Sequence, residues 1–265
     1  MYQKKIWRFN RVIEVEEYHS ARYGAPGEKR REKVKATPEM MAAANQRNRE
    51  RTCRHKLLQY FDVGDYYITL TYRREERPPD LDTCKAHFAK MIRELRKEYR
   101  KAGEELRWIR NIECGTRGAW HIHMAIKRIP DIDLLIAKAW PYGSSRIELM
   151  HLRGGFSKLA AYITKTPKTD NRICGSNYST SRNMPLKPPE LKTYLHWKTW
   201  TRDEAGMPKR IPEGWQLDPE SLLEGINPLT GYPFRRYRLI RAATRKMEKY
   251  IQRPPDRGKA GKGVK

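Results

Sequence analysis

The stretch from Asn111 to Ile126 constrains this chain more than any other. Two β-forming runs, Asn111 to Glu113 and Trp120 to Ile126, flank Gly115 and Gly118, so the stretch reads as two strands joined by a turn. Side chains alternate faces along a strand. His121, His123 and Ala125 therefore share one face, while Trp120, Ile122, Met124 and Ile126 point the other way, into a core. Two imidazoles on one face with a bulky apolar residue between them can grip one metal ion. Glu113, on the preceding strand, can add a carboxylate oxygen; His151 is a second choice for third ligand. Such a donor set suits Mn²⁺, Zn²⁺ or Mg²⁺. The plain alternative is two half-exposed strand histidines with no ligand role.

The flanking sequence builds a sheet around this pair. Asp65 to Tyr72 is rich in aromatic and β-branched residues and reads as a strand. Leu81 to Lys101 has a buried helical stripe of Phe88, Met91, Ile92, Leu95 and Tyr99. Asp131 to Trp140 is a shorter helix and Ser145 to Leu149 a strand. The order β-α-β-β-α-β predicts an α+β fold, a ferredoxin-like antiparallel sheet with helices packed on one face. The strands bearing Glu113 and the histidines would be its paired middle strands. The expected nuclease-like domain spans residues 60–200, between basic N-terminal (1–59) and C-terminal (201–265) extensions. Within the first extension, residues 1–35 read as a strand or loop and then a solvated segment. Thr37 followed by Pro38 marks a helix start, running toward Leu57.

Charge narrows the partners. The 265 residues carry 56 Lys and Arg against 31 Asp and Glu, a net charge of +25, which calls for a polyanion, nucleic acid first. Residues 235–265 hold twelve Lys and Arg against two acids. There Tyr237, Ile240, Met247 and Tyr250 predict a thinly apolar, cationic helix before a disordered tail. Tyr194 to Trp200 reads as a strand or short helix; its Trp residues would serve a core or stack on bases. No apolar run reaches the ~18–20 residues of a membrane span, and the N-terminus lacks the apolar segment of a signal peptide. Cys53, Cys84, Cys114 and Cys174 form no Cys-x-x-Cys pair and read as free thiols of a reducing cytoplasm.

After the break at Gly154-Gly155, Phe156, Leu159, Ala160 and Ile163 form a helical apolar stripe. Tyr162 and Lys165 lie off it, one turn apart. Alone, that pair is a surface tyrosine on a lysine stem. Together with the paired histidines and Glu113, the pattern resembles the HUH endonuclease superfamily, and within it the single-tyrosine rolling-circle replication initiators (Rep). Thr69-Leu70-Thr71-Tyr72 is similar to the family's first motif. Glu113 through Ala125 is similar to its metal-binding motif, and Ala161 through Lys165 to its tyrosine motif. The resemblance covers about residues 60–170, and Ser179 to Pro185 is similar to the segment that follows the catalytic helix in bacterial members.

The resemblance implies a metal-dependent DNA endonuclease and strand transferase. Glu113, His121 and His123 would bind Mg²⁺ or Mn²⁺. Tyr162 would attack a phosphodiester of single-stranded origin DNA, leaving a 5′-phosphotyrosyl end and a free 3′-OH, with Lys165 neutralising phosphate charge. No Gly-x-x-x-x-Gly-Lys-[Ser/Thr] loop is present, so strand opening would fall to a host helicase and synthesis to a host polymerase in the cytoplasm of a bacterial or archaeal cell. A relaxase or single-tyrosine transposase would run the same chemistry. A non-catalytic DNA-binding regulator would share only the charge. The order of Glu113, the histidines and then Tyr162 favours the replication type.

Overall fold

The computed structural model describes residues 1–242 apart from 21, 22, 28, 31, 116, 117, 166–177, 203, 205–207, 209 and 210, and the backbone alone at 153 and 154. Its elements in chain order are β1 (Tyr2–Arg8), β2 (Val12–His19), α1 (Pro38–Tyr60), β3 (Tyr66–Thr71), α2 (Leu81–Lys101), β4 (Trp108–Cys114), β5 (Trp120–Ile126), α3 (Ile132–Ala139), β6 (Ser145–Leu149), α4 (Ser157–Thr164), β7 (Ser179–Thr180), β8 (Glu190–Tyr194), β9 (Trp215–Leu217), β10 (Leu223–Ile226) and β11 (Pro233–Arg241).

Five of the strands form one antiparallel sheet in the order β6-β3-β5-β4-β7. This is the expected ferredoxin-like order, with β5 central and β4 beside it. One face buries Trp120, Ile122, Met124 and Ile126 of β5 against the α2 stripe and Ile132 and Ile136 of α3. Each such side chain withdrawn from water contributes roughly 1.5–3 kcal/mol. Asp80 caps α2, accepting from the Thr83 amide at 2.7 Å. The opposite face is also covered, at one end. There Ile109 and Ala125 meet Cys53, Leu57 and Phe61 near the end of α1 and Ala160 and Ile163 of α4. As expected, Thr37 caps α1, its hydroxyl accepting from the Met40 amide.

The chain's two ends depart from the expectation of solvated extensions. β1, β2, β8, β9, β10 and β11 make a second antiparallel sheet, ordered β10-β11-β2-β1-β8 with β9 on β11. Residues 233–241 are thus a strand, not the start of a helix. Tyr237 and Leu239 pack with Ile6, Ile13 and Val15 on one face. The expected continuation of that helix, with Met247 and Tyr250, and the tail lie outside the described residues, as does most of the loop expected over 166–190. Of Tyr194 to Trp200, only Tyr194 is in a strand; Trp200 packs edge-to-face on Tyr237 at 4.7 Å between ring centroids. Cys53, Cys84 and Cys114 are free thiols; Cys174 is not described. Among the described residues no helix is long and apolar enough to cross a membrane.

The second sheet is joined to the first body by ion pairs. Glu14 bonds Arg54 and lies 3.3 Å from His55 Nε2, while Glu16 reaches Arg51 at 3.0 Å, all from β2 to α1. Arg238 of β11 hydrogen-bonds Ser157, the first residue of α4, and holds Asp218 at 2.8 Å. Burial pushes Glu14 up, but its hydrogen bond with His55 and the Arg54 charge more than offset this and hold it at about 2, against an ordinary 4.5. The unfolded chain therefore takes up this proton first. The stabilisation is complete above about pH 4.5 and is lost as the pH falls toward 2. It amounts to roughly 3 kcal/mol. Urea titrations across that window should show Glu14→Gln less stable at pH 7 and less pH-dependent than the parent; equal pH dependence would refute the assignment.

A close approach sets the mouth of the first sheet. A Cβ on Gly143 would sit 2.0 Å from the Thr71 carbonyl oxygen. The 142–144 loop runs along the end of β3 there, Ser144 accepting from the Thr71 amide at 2.9 Å. Gly143→Ala should cost several kcal/mol, on the order of other backbone clashes, read as a lowered Tm; an unchanged Tm would mean the loop can move away freely.

Candidate active site

Strand register writes the site in rows. On one face, Arg146, Thr69, His123 and Asn111 lie abreast on β6, β3, β5 and β4, followed by Thr71, His121 and Glu113. The other end of this face, with Ala125 and Ile109, is the apolar end sealed by α1 and α4. The helices thus stop where the polar rows begin. The stripe of α4 buries Ala160 and Ile163 and leaves Tyr162, 43% exposed, over the polar rows.

His123 is the hub, and it is buried. Its Nδ1 lies 3.1 Å from Thr69 Oγ1. Its Nε2 lies 3.4 Å from Tyr162 Oη and 3.4 Å from Glu113 Oε2. The tyrosine ring meets the imidazole edge-on, with centroids 5.2 Å apart. Tyr67, on β3, stacks parallel to His123 at 6.0 Å and touches Tyr162 edge-on at 6.3 Å. Asn111 Nδ2 approaches Glu113 Oε1 at 3.4 Å. Lys165 follows α4, its amide donating to the Tyr162 carbonyl at 3.3 Å.

The electrostatics set protonation states. Glu113 is lowered by its hydrogen bond with His123, against burial, and further by the charges of His123, Lys165 and His121. Burial and the neighbouring His123 lower His121, with Glu113 opposing. An ionised carboxylate and a neutral imidazole are the forms a metal ion needs. Burial, then the charges of Glu113 and Glu148, raise Tyr162, so the resting side chain is a protonated phenol.

All the residues expected at the site lie at one place, though in two grades. Glu113, His123 and Tyr162 are in contact. His121 is directly opposite Glu113 in the register, its ring 6.3 Å from that of His123. Lys165 acts on Glu113 through its charge. As the side chains stand, no three His, Cys, Asp or Glu residues among those described are gathered closely enough to hold a metal ion. His151, the second choice for third ligand, is exposed beyond the end of β6. The donor chemistry nevertheless fits a divalent ion: two imidazoles and a carboxylate on one face. The buried Tyr67 hydroxyl, with no hydrogen-bond partner among the described residues, marks room for a polar guest. Tyr67 and Asn111 escaped the sequence reading. The alternation Tyr67, Thr69, Thr71 on a strand paired with β5 is the signal that points to Tyr67.

Residues 65–167 match a family model of replication-associated proteins, the ORF2 type. The matched span opens with β3, closes just beyond Lys165, and supports a replication initiator of the Rep kind. No curated protein and no solved structure matches the chain.

Proposed function

We propose that this chain initiates rolling-circle replication by nicking and rejoining single-stranded DNA at an origin. The observation that carries the reading is the meeting of Tyr162 Oη with His123 Nε2, itself in contact with Glu113. Tyr162 comes from a helix 39 residues further along the chain than His123, so local sequence does not force the encounter. The family match supports the replication role, and the net charge of +25 supports a DNA substrate.

Glu113, His121 and His123 would hold Mg²⁺ or Mn²⁺, which supplies Lewis-acid polarisation of a non-bridging phosphate oxygen. Tyr162 Oη loses its proton and bonds to phosphorus; the P–O3′ bond breaks, and O3′ takes up a proton. The product is a 5′-phosphotyrosyl strand with a free 3′-OH. That 3′-OH primes synthesis, and a later 3′-OH reverses the step and rejoins the strand. His123 Nε2 is the nearest acceptor for the phenol proton before substrate arrives. Neutralising the Glu113 charge would remove one of the causes that raise Tyr162, which aligns ligand binding with activation of the nucleophile. Lys165 supplies positive charge beside the reacting phosphate. A host helicase and polymerase would complete the cycle.

The test is incubation with labelled single-stranded origin DNA and Mn²⁺, followed by denaturing electrophoresis. A band in which the protein carries the label supports the reading. Salt-dependent binding without any adduct, over a range of origin sequences, would instead favour the non-catalytic regulator.

A further inference from the structure

A second feature of β4 lies on the face turned away from Tyr162. Two adjoining cavities of about 490 and 620 Å³ share Arg96 and Trp108, between α2 and the outer edge of β4. The bed is apolar: Phe88, Ile92 and the Trp108 ring. Lys85, Arg93, Arg96, Arg110 and Arg182 line the two cavities, and no carboxylate among the described residues does. Lys85 reaches an acid, Asp82, but on the exposed surface of α2.

Two polar groups here are buried without hydrogen-bond partners among the described residues, Trp108 Nε1 and Arg110 Nε. The Arg110 guanidinium lies over the rings of Phe88 and Trp108, 4.9 and 5.8 Å from their centroids. A cation set in an aromatic bed with no carboxylate beside it calls for an anion from outside. The strand edge continues the feature. β7 pairs with β4 only at Ile109 and Arg110, so from Asn111 to Cys114 the outer edge has no strand partner among the described residues. Arg110 and Glu113 are three residues apart on alternate faces, about 10 Å along the strand. A chain lying in the groove and crossing that edge would arrive at the Tyr162 site.

We propose that this groove binds single-stranded DNA flanking the scissile phosphate, with bases on the Trp108 bed and phosphates on Arg93, Arg96 and Arg110. The inference rests on the nucleic-acid reading above, but not on nicking. Aromatic beds take the faces of unpaired bases, which a duplex hides, and arginine rims track phosphates. An acidic peptide would satisfy the arginines yet set its polar backbone against the apolar bed.

The experiment is fluorescence anisotropy of the full chain with a labelled oligothymidine in excess chelator, so that binding is read whether or not the protein nicks. Arg93 and Arg96 are exposed, and Arg93→Ala/Arg96→Ala should weaken binding about 10-fold. The slope of log affinity against log salt should flatten by roughly 0.7 for each phosphate no longer neutralised. Lys97→Ala/Lys101→Ala removes as much charge from the same helix outside the groove and should change affinity less than about 2-fold. Groove and control variants that weaken binding equally would overturn the proposal by showing a general charge effect. Parent-like affinity and slope in the groove variant would overturn it as well. So would competition by poly-glutamate as effective as unlabelled oligothymidine, which would assign the groove to an acidic protein.

Discussion

Tyr162→Phe should reduce the covalent protein–DNA adduct by at least about 10³-fold, to background, because the substitution removes the one atom that forms the bond to phosphorus. The effect should be confined to chemistry. Tyr162 is 43% exposed, and the phenylalanine keeps the edge-on contacts with His123 and Tyr67. Its hydroxyl approach to His123, at 3.4 Å, is long for a hydrogen bond. Thermal stability should move by no more than about 0.5 kcal/mol, and affinity for single-stranded DNA should stay at the parent level. Denaturing gels with labelled origin strand, run beside a melting curve and an anisotropy titration, separate the three quantities. Persistence of the adduct in the Phe variant would remove Tyr162 from the mechanism. Tyr67, the other phenol at His123, would then be tested first. Tyr178 and Tyr194 are poorer candidates, the former packed beside Cys53 and the latter in β8 of the second sheet.

His121→Ala and His123→Ala should each lower adduct formation on the order of 10³-fold while leaving DNA binding in chelator unchanged, since that binding comes from Lys and Arg on phosphates. The two variants differ in what else they disturb. His121 is only partly buried, so its loss should be silent in a melt. His123 is buried among Thr69, Tyr67, Glu113 and Tyr162, and its truncation should also cost about 1–3 kcal/mol of stability. The sharper reading is therefore His121→Ala, with Mn²⁺ binding followed by calorimetry as the companion to cleavage. Weaker binding of the ion together with lost cleavage supports the ligand role. Undiminished cleavage by the parent protein in excess chelator would end the metal mechanism altogether.

Local periodicity carried the first sheet and its site. The period-two pattern of β5 is enough to send Trp120, Ile122, Met124 and Ile126 into one core and both histidines to the opposite face, because alternation is a property of the strand itself. The period of 3.6 did the same for α2, and for α4, where it leaves Tyr162 outside the buried stripe. Thr37, with Pro38, capped α1 where a short polar side chain can serve a free amide. Each of these depends on residues a few positions apart.

The second sheet could not be read that way. Glu14, Glu16 and Glu17 make β2 look like a solvated segment, yet all three are buried. Their partners are Arg54, Arg51 and Arg235, at separations of 40, 35 and 218 residues. A buried carboxylate is tolerable only where a cation meets it, and that meeting is decided by how distant segments fold together. The same holds for β11. Tyr237 and Ile240 are three apart and suit a helix, whereas pairing Leu239 with Ile13 of β2 makes the segment a strand. Through Arg238 and Ser157, that strand holds the start of the helix bearing Tyr162. Local alternation thus selected the residues of the site, while long-range charge compensation and strand pairing decided what braces the nucleophile over the histidines, because neither leaves a periodic mark within a single segment.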